Sequence, residues 1–168
     1  MSTDTPASSV VRRAGPGDAA ALVVLRALML QDMGMPVGPA DAAWRETATH
    51  WFARRLADED EFAAFVVEDP LLGVVSSAVG SCDHHAPGPT NPTGLHGHVQ
   101  NVSTDPRARR RGHARACLEA LLTWFGTETP VRVVNLNATS RGQALYQDLG
   151  FTAPRFPALQ LRVPDDPA

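Results

Sequence analysis

Four arginines, Arg107, Arg109, Arg110 and Arg111, crowd one short stretch of this chain just before Gly112. Upstream, 97–104 reads as a strand that Asp105-Pro106 stops, and 110–125 reads as a helix. A strand, a tight turn and a helix start form an arrangement suited to phosphate. The first backbone N–H groups of a helix have no internal partner, and the helix dipole adds partial positive charge there. Gly112 lets the backbone approach an anion with no Cβ between them, and Ala114 keeps the next turn small. Arginine at a helix start opposes the dipole unless an anion is present. The cluster therefore suits a ligand bearing a pyrophosphate, with or without a ribose phosphate, and a solvated surface is the plain alternative. One glycine is too few for a dinucleotide fingerprint, and the chain has no lysine for a P-loop.

Other residues have the chemistry for proton transfer. Tyr146 is the one tyrosine of the chain, and a phenol can serve as a general acid; a tyrosine packed in the last helix is the competing reading. His98 and Asn101 share the strand before the arginine turn, where an imidazole and an amide could bind a ligand or hold a relay water. Cys82-Asp83-His84-His85 carries metal-ligand types, but neighbours on one loop rarely converge on an ion and no second cluster completes a tetrahedral set. No metal is expected. Cys82 and Cys117 read as unpaired thiols, Cys117 as core packing inside the helix.

Composition narrows the function classes. The chain has 168 residues, 43% hydrophobic and 20% charged, which suits one soluble globular domain. Its longest apolar run, 19–30, is broken by Arg26 and is too short to span a bilayer. There is no basic flank ahead of an apolar stretch at the N-terminus, so a cytoplasmic protein is expected. A net charge of −3 argues against a general nucleic-acid binder and tilts toward cationic small molecules. With all 15 basic residues arginine, Schiff-base chemistry on lysine is excluded.

Periodicity supplies the frame for these groups. A strand is expected over 10–13, with Asp18 capping a helix to about Met33 and a second helix over about 41–57. Strands follow over 62–68 and 72–80, and then a polar loop, 81–97, long enough to read as the rim of a ligand site. After the 97–104 strand and the 110–125 helix come a strand over 131–136, a helix over 139–149 closed by Gly150, and a final strand over 156–163. Met29, Met33, Met35, Trp44 and Trp51 on the first two helices either shape an apolar ligand pocket or pack the core. The order β-α-α-β-β-β-α-β-α-β predicts a mixed α/β fold, one domain over 1–168 with 1–9 disordered.

Three segments together, Val102-Ser103-Thr104-Asp105-Pro106, Arg109-x-x-Gly112-x-Ala114 and Leu145-Tyr146-Gln147-Asp148-Leu149-Gly150-Phe151, resemble the GCN5-related N-acetyltransferases. The resemblance covers about a third of the chain. It implies an acyl-CoA N-acyltransferase fold with a central, mostly antiparallel sheet flanked by helices. It also implies acetyl-CoA as co-substrate, an amine acceptor on a small molecule or a peptide, and direct attack in a ternary complex. Carried over by position, Val102, Ser103 and Thr104 pair with the pantetheine arm, and Arg109, Arg110, Arg111, Gly112, His113 and Ala114 hold the pyrophosphate. Asn137 stands near the cofactor, and Tyr146 protonates the thiolate. Pairing of two copies through sheet edges or the C-terminal strand is a further implication. The chain departs from the family pattern on the strand 131–137, which has no carboxylate to act as base; Asn137 also sits two residues before Thr139, which has the usual spacing from Tyr146. His98, Glu46, Glu61 and Glu68 are the candidates for that role. A non-catalytic acyl-CoA-binding module of the same fold is the alternative, and a nucleotide-binding protein of another fold is a more distant one.

Overall fold

The computed structural model describes residues 9–164, in two compact units divided between Asn137 and Ala138. The first unit holds strands β1 (Val10–Arg13), β2 (Phe62–Asp69), β3 (Gly73–His84), β4 (Leu95–Thr104) and β5 (Val134–Leu136). It also holds helices α1 (Ala19–Asp32), α2 (Ala43–Leu56) and α3 (His113–Glu128). The strands form one sheet in sequence order, antiparallel from β1 to β4 and parallel between β4 and β5. Only the β4–β5 pair needs a crossover, and α3 supplies it. The expected mixed α/β architecture is present.

Alternation along the strands assigns the two faces. Val79 joins Leu22, Val23, Phe52, Leu56, Phe62, Ala64 and Val66 in the cluster beneath α1 and α2. Gly80, one residue on, faces α3: a Cβ there would lie 2.7 Å from Leu121 and from Phe125. Gly97 on β4 does the same, 2.8 Å from Phe125. These two glycines let α3 lie directly on the strand backbones. At the N-terminal edge Arg12 forks onto Asp18 at 2.8 and 2.9 Å and reaches Glu68 at 2.9 Å. Asp18 thus faces Arg12 and the Gly15 N–H, not the first turn of α1, and its carboxyl is held below the usual range, chiefly by Arg12.

Several boundaries differ from the periodicity. β3 and β4 extend through the polar segment, pairing Cys82 with Gly97 and His84 with Leu95, so the loop shrinks to 85–94. Backbone pairing needs no apolar side chain, which is why polarity misled there. α3 begins at His113 rather than 110, because Arg110 (φ 63) and Gly112 (φ 78) are left-handed. It runs on to Glu128, with the Thr127 and Thr129 hydroxyls donating back to carbonyls four residues earlier. β5 is three residues, shorter than 131–136. In the second unit the helix is α4 (Gln143–Asp148), preceded by a turn at 140–142. The final strand expected over 156–163 is absent: the segment is irregular and its apolar side chains are exposed. Pro157 removes a donor and fixes φ in its middle. Of the residues expected to be disordered, 1–8 lie outside the described residues. Among the described residues no helix is long and apolar enough to cross a membrane.

Gly80→Ala and Gly97→Ala are each expected to cost about 1–3 kcal/mol, because the buried Phe125 ring has no room to retreat. Thermal unfolding of the two variants checks this: midpoints within a degree of the wild type would refute the close-packing account.

Candidate functional site

β4 outruns its parallel neighbour. β5 pairs with Gly97, His98 and Val99 only, so Gln100–Thr104 continue with no strand on that edge. Within this stretch Asn101 is left-handed (φ 53), and the register with β3 shifts between Ser77 and Val79. Such a bulge bends a strand and re-aims its side chains. Asn101 is only 3% exposed; its amide donates to the Leu22 carbonyl and accepts from Arg26, each at 3.4 Å. The Ser103 hydroxyl donates to the Leu25 carbonyl at 2.8 Å, and Ser76 bonds both the Ser103 carbonyl and the Thr104 hydroxyl. The side chains of Asn101 and Ser103 therefore tie α1 to the sheet. What Val102, Ser103 and Thr104 offer a ligand is an unpaired strand edge.

The arginine turn carries less free charge than its sequence suggests. Arg107 is bidentate on Asp105 (2.8 and 3.0 Å), which holds that carboxyl low. Arg109 pairs with Asp32 at the end of α1 and donates to the Thr104 carbonyl at 3.1 Å. Arg111 lies 3.9 Å from Asp69. Arg110 has no carboxylate partner among the described residues. Anion attraction thus rests on Arg110 and the start of α3, where no side chain caps the helix and no acidic residue occupies the first turn. The left-handed Arg110 and Gly112 shape the backbone there, and the His113 Nε2 is buried without a partner. A cap-free helix start, one unmatched guanidinium and a bare strand edge fit a pyrophosphate followed by an extended amide arm.

A cavity of about 490 Å³ opens in the same unit on the α1/α2 side of β4. Trp44, Ala48, Trp51 and Phe52 of α2 form an apolar wall, and Arg26, Thr47 and Gln100 supply the polar groups. His98 lies two residues from Gln100 and so on the same face of β4. Of the five residues weighed for an acceptor pocket, Trp44 and Trp51 line this cavity; Met29, Met33 and Met35 do not. Arg26 and Gln100 escaped sequence reasoning. The only signal was that Arg26 interrupts an otherwise apolar run.

In the second unit Tyr146 sits under a well-defined helix end. The Phe151 N–H donates to the Tyr146 carbonyl and the Gly150 N–H to that of Gln147, both at 3.0 Å, with Gly150 left-handed (φ 95). This is the paired closure that glycine permits, and it sets the Phe151 ring 6.0 Å from the Tyr146 ring, edge on. Gly142, one turn earlier, makes room: a Cβ there would lie 2.8 Å from the tyrosine ring. Burial pushes the Tyr146 phenol up, which keeps its proton in place at neutral pH. Thr139 starts this turn, its carbonyl accepting from Gly142 and Gln143. Asn137 is exposed just beyond β5.

The remaining candidates disperse. His84 bonds Glu61 at 2.8 Å, the His85 ring lies tilted against that of His96 with centroids 4.5 Å apart, and Glu68 pairs with Arg12, so the polar loop residues do not converge. Glu46 is exposed near the start of α2.

A family model described as an acetyltransferase (GNAT) domain matches residues 60–153. The chain belongs to the GNAT acetyltransferases. It is accordingly an enzyme of acetyl transfer from acetyl-CoA. Solved structures show the same GNAT fold. A predicted acetyltransferase of Clostridium acetobutylicum, crystallised with acetyl-CoA, is 24% identical over 92% of this chain and 96% of its own, with a TM-score of 0.79. A GCN5-related N-acetyltransferase of Ralstonia eutropha JMP134 is 22% identical over 92% and 99%, at 0.77. The glucosamine-6-phosphate N-acetyltransferase of Arabidopsis thaliana is 14% identical over 92% and 98%, at 0.70. No curated protein sequence matches the chain.

Burial pushes the Cys82 and Cys117 thiols up to about 11, so neither is a thiolate at neutral pH. Native protein at pH 7.5 (a chosen assay condition, roughly a unit below a free thiol) should react with a thiol-specific disulfide reagent far more slowly than unfolded protein. Rapid labelling of either cysteine in the native state would overturn this.

Proposed function

We propose that this GNAT enzyme acetylates an amine by direct attack within a ternary complex, all of its residues serving one N-acetyltransferase domain. The observation that carries the reading is the succession of bare β4 edge and cap-free α3 start, since a strand edge followed by unpartnered N–H groups suits an amide arm and a pyrophosphate. Val102, Ser103 and Thr104 would hold the arm, and Arg109, Arg110, Arg111, Gly112, His113 and Ala114 the pyrophosphate, with Asn137 assigned to the cofactor side. For Arg109 and Arg111, already matched by carboxylates, the contribution is backbone. Acetyl-CoA supplies the activated thioester. The nitrogen–acetyl bond forms as the carbon–sulfur bond breaks, so one proton must leave the amine and one must reach the sulfur. Tyr146 is the acid, its phenol protonated across the working range. His98, on the cavity face of β4, is the group we assign to receive the amine proton directly or through water, with Asn101 positioning α1. The acceptor is a small molecule or peptide amine, and we place the enzyme in the cytoplasm, as a monomer or a pair of copies.

One sequence feature favours a second reading. The strand before the last helix has no carboxylate, which suits a protein that binds acyl-CoA without turnover.

Measurements of binding and of turnover test these assignments. Acetyl-CoA and CoA should raise the unfolding midpoint where NAD and ATP at equal concentration do not, and Arg110→Ala should reduce that rise; no rise with either CoA compound would remove the cofactor assignment. Tyr146→Phe should lower kcat by about 100-fold or more with acetyl-CoA binding unchanged. Because burial raises the phenol pKa, the alkaline limb set by Tyr146 should lie above pH 10, the ordinary value for tyrosine. Thiol release from a panel of amines by the wild type separates the enzyme from the non-catalytic module.

A further inference from the structure

The cavity beside β4 says what kind of amine enters. Its wall is aromatic and apolar: Trp44, whose indole N–H is satisfied by the Val37 carbonyl at 2.8 Å, with Ala48, Trp51 and Phe52. None of its lining residues is acidic. Its single charge is Arg26, half-buried in the middle of α1 and without an ion-pair partner among the described residues. Among the described residues Arg26 donates one hydrogen bond, a long one of 3.4 Å to the Asn101 amide oxygen. A guanidinium in a partly desolvated pocket with no carboxylate of its own is matched by one from a ligand, commonly as a two-pronged contact. A polycation would meet the reverse: like charge, no acidic counterpart and an apolar wall.

We propose that this pocket binds an apolar α-amino acid, its side chain against Trp44, Trp51 and Phe52 and its carboxylate on Arg26. The inference rests on the acetyl-transfer reading above and names the acceptor for it. Geometry favours an α-amine in particular. Arg26 reaches Asn101, the bulged residue, and Gln100 lines the cavity where β4 loses its β5 partner. A carboxylate at Arg26 leaves an amine one carbon away beside the bare strand edge. The volume, about 490 Å³, suits one small ligand. The net charge of −3 points the other way, toward cations, but it is a property of the whole surface, whereas this pocket is locally positive.

The test compares L-phenylalanine and L-leucine with phenethylamine, which lacks the carboxylate, and with spermidine, all with saturating acetyl-CoA. Both amino acids should be acetylated, with a KM at least tenfold below that of phenethylamine, and spermidine should be poor. Arg26→Gln keeps the aliphatic stem and a polar end while removing the charge. It should raise the KM for L-phenylalanine tenfold or more, leave that for phenethylamine within twofold, and weaken calorimetric binding of N-acetyl-L-phenylalanine in step. Arg26→Lys, which keeps the charge, should restore part of the preference even if the glutamine variant folds poorly. If acetyl-CoA still raises the unfolding midpoint but spermidine is preferred, or Arg26→Gln affects both phenyl amines alike, the amino-acid assignment falls and acetyl transfer stands. If acetyl-CoA produces no rise, both fall.

Discussion

Phe125 rests on the backbone of two glycines, and the candidate site depends on that contact. With hydrogen at Gly80 and Gly97 in place of a methyl group, α3 lies against β3 and β4 at the closest separation the strands allow. α3 is also the crossover between the parallel strands β4 and β5, so its depth fixes where its N-terminus emerges beside the end of β4. A helix standing off on larger residues would carry its free N–H groups away from the bare strand edge. The left-handed Arg110 and Gly112 then complete the turn in the short distance left between strand and helix. Packing on one face of the sheet thereby sets the electrostatics at its margin.

The other face is organised by polar ties in place of close packing. Asn101 and Ser103 hydrogen-bond to carbonyls of α1 within its helical span, at Leu22 and Leu25. Those carbonyls already serve the helix, and the extra bonds anchor α1 to the bulged strand without filling the space beside it. The cavity lined by Arg26 and Gln100 lies on this side, adjoining the point where the β4 ladder changes partners.

Elements with strong periodicity or explicit punctuation were legible in the sequence. α1, α2, β1 and β2 fall within about a residue or two of their expected bounds, and Gly150 closes α4 as its position implied. The arginine turn was located, yet its chemistry was only half readable. That Arg109 and Arg111 face Asp32 and Asp69 depends on contacts between segments far apart in the chain. The bulge at Asn101 was not foreseen: asparagine tolerates a positive φ better than most side chains, but within a strand pattern that tolerance alone does not mark a bulge. The missing strand over 156–163 shows the opposite error: alternation was present, but Pro157 outweighed it. Arg26 passed as a mere break in an apolar run because a lone charge takes its meaning from the walls around it.

α1 joins the two halves of the proposed site. Arg26 at its middle faces the cavity, and Asp32 at its end holds Arg109 of the turn. Six residue steps of helix separate them, a rise of about 9 Å along the axis. A hydrogen-bonded helix stretches very little, so α1 acts as a ruler: it holds the carboxylate reader and the pyrophosphate turn at a set spacing, and a molecule engaging both must match that length.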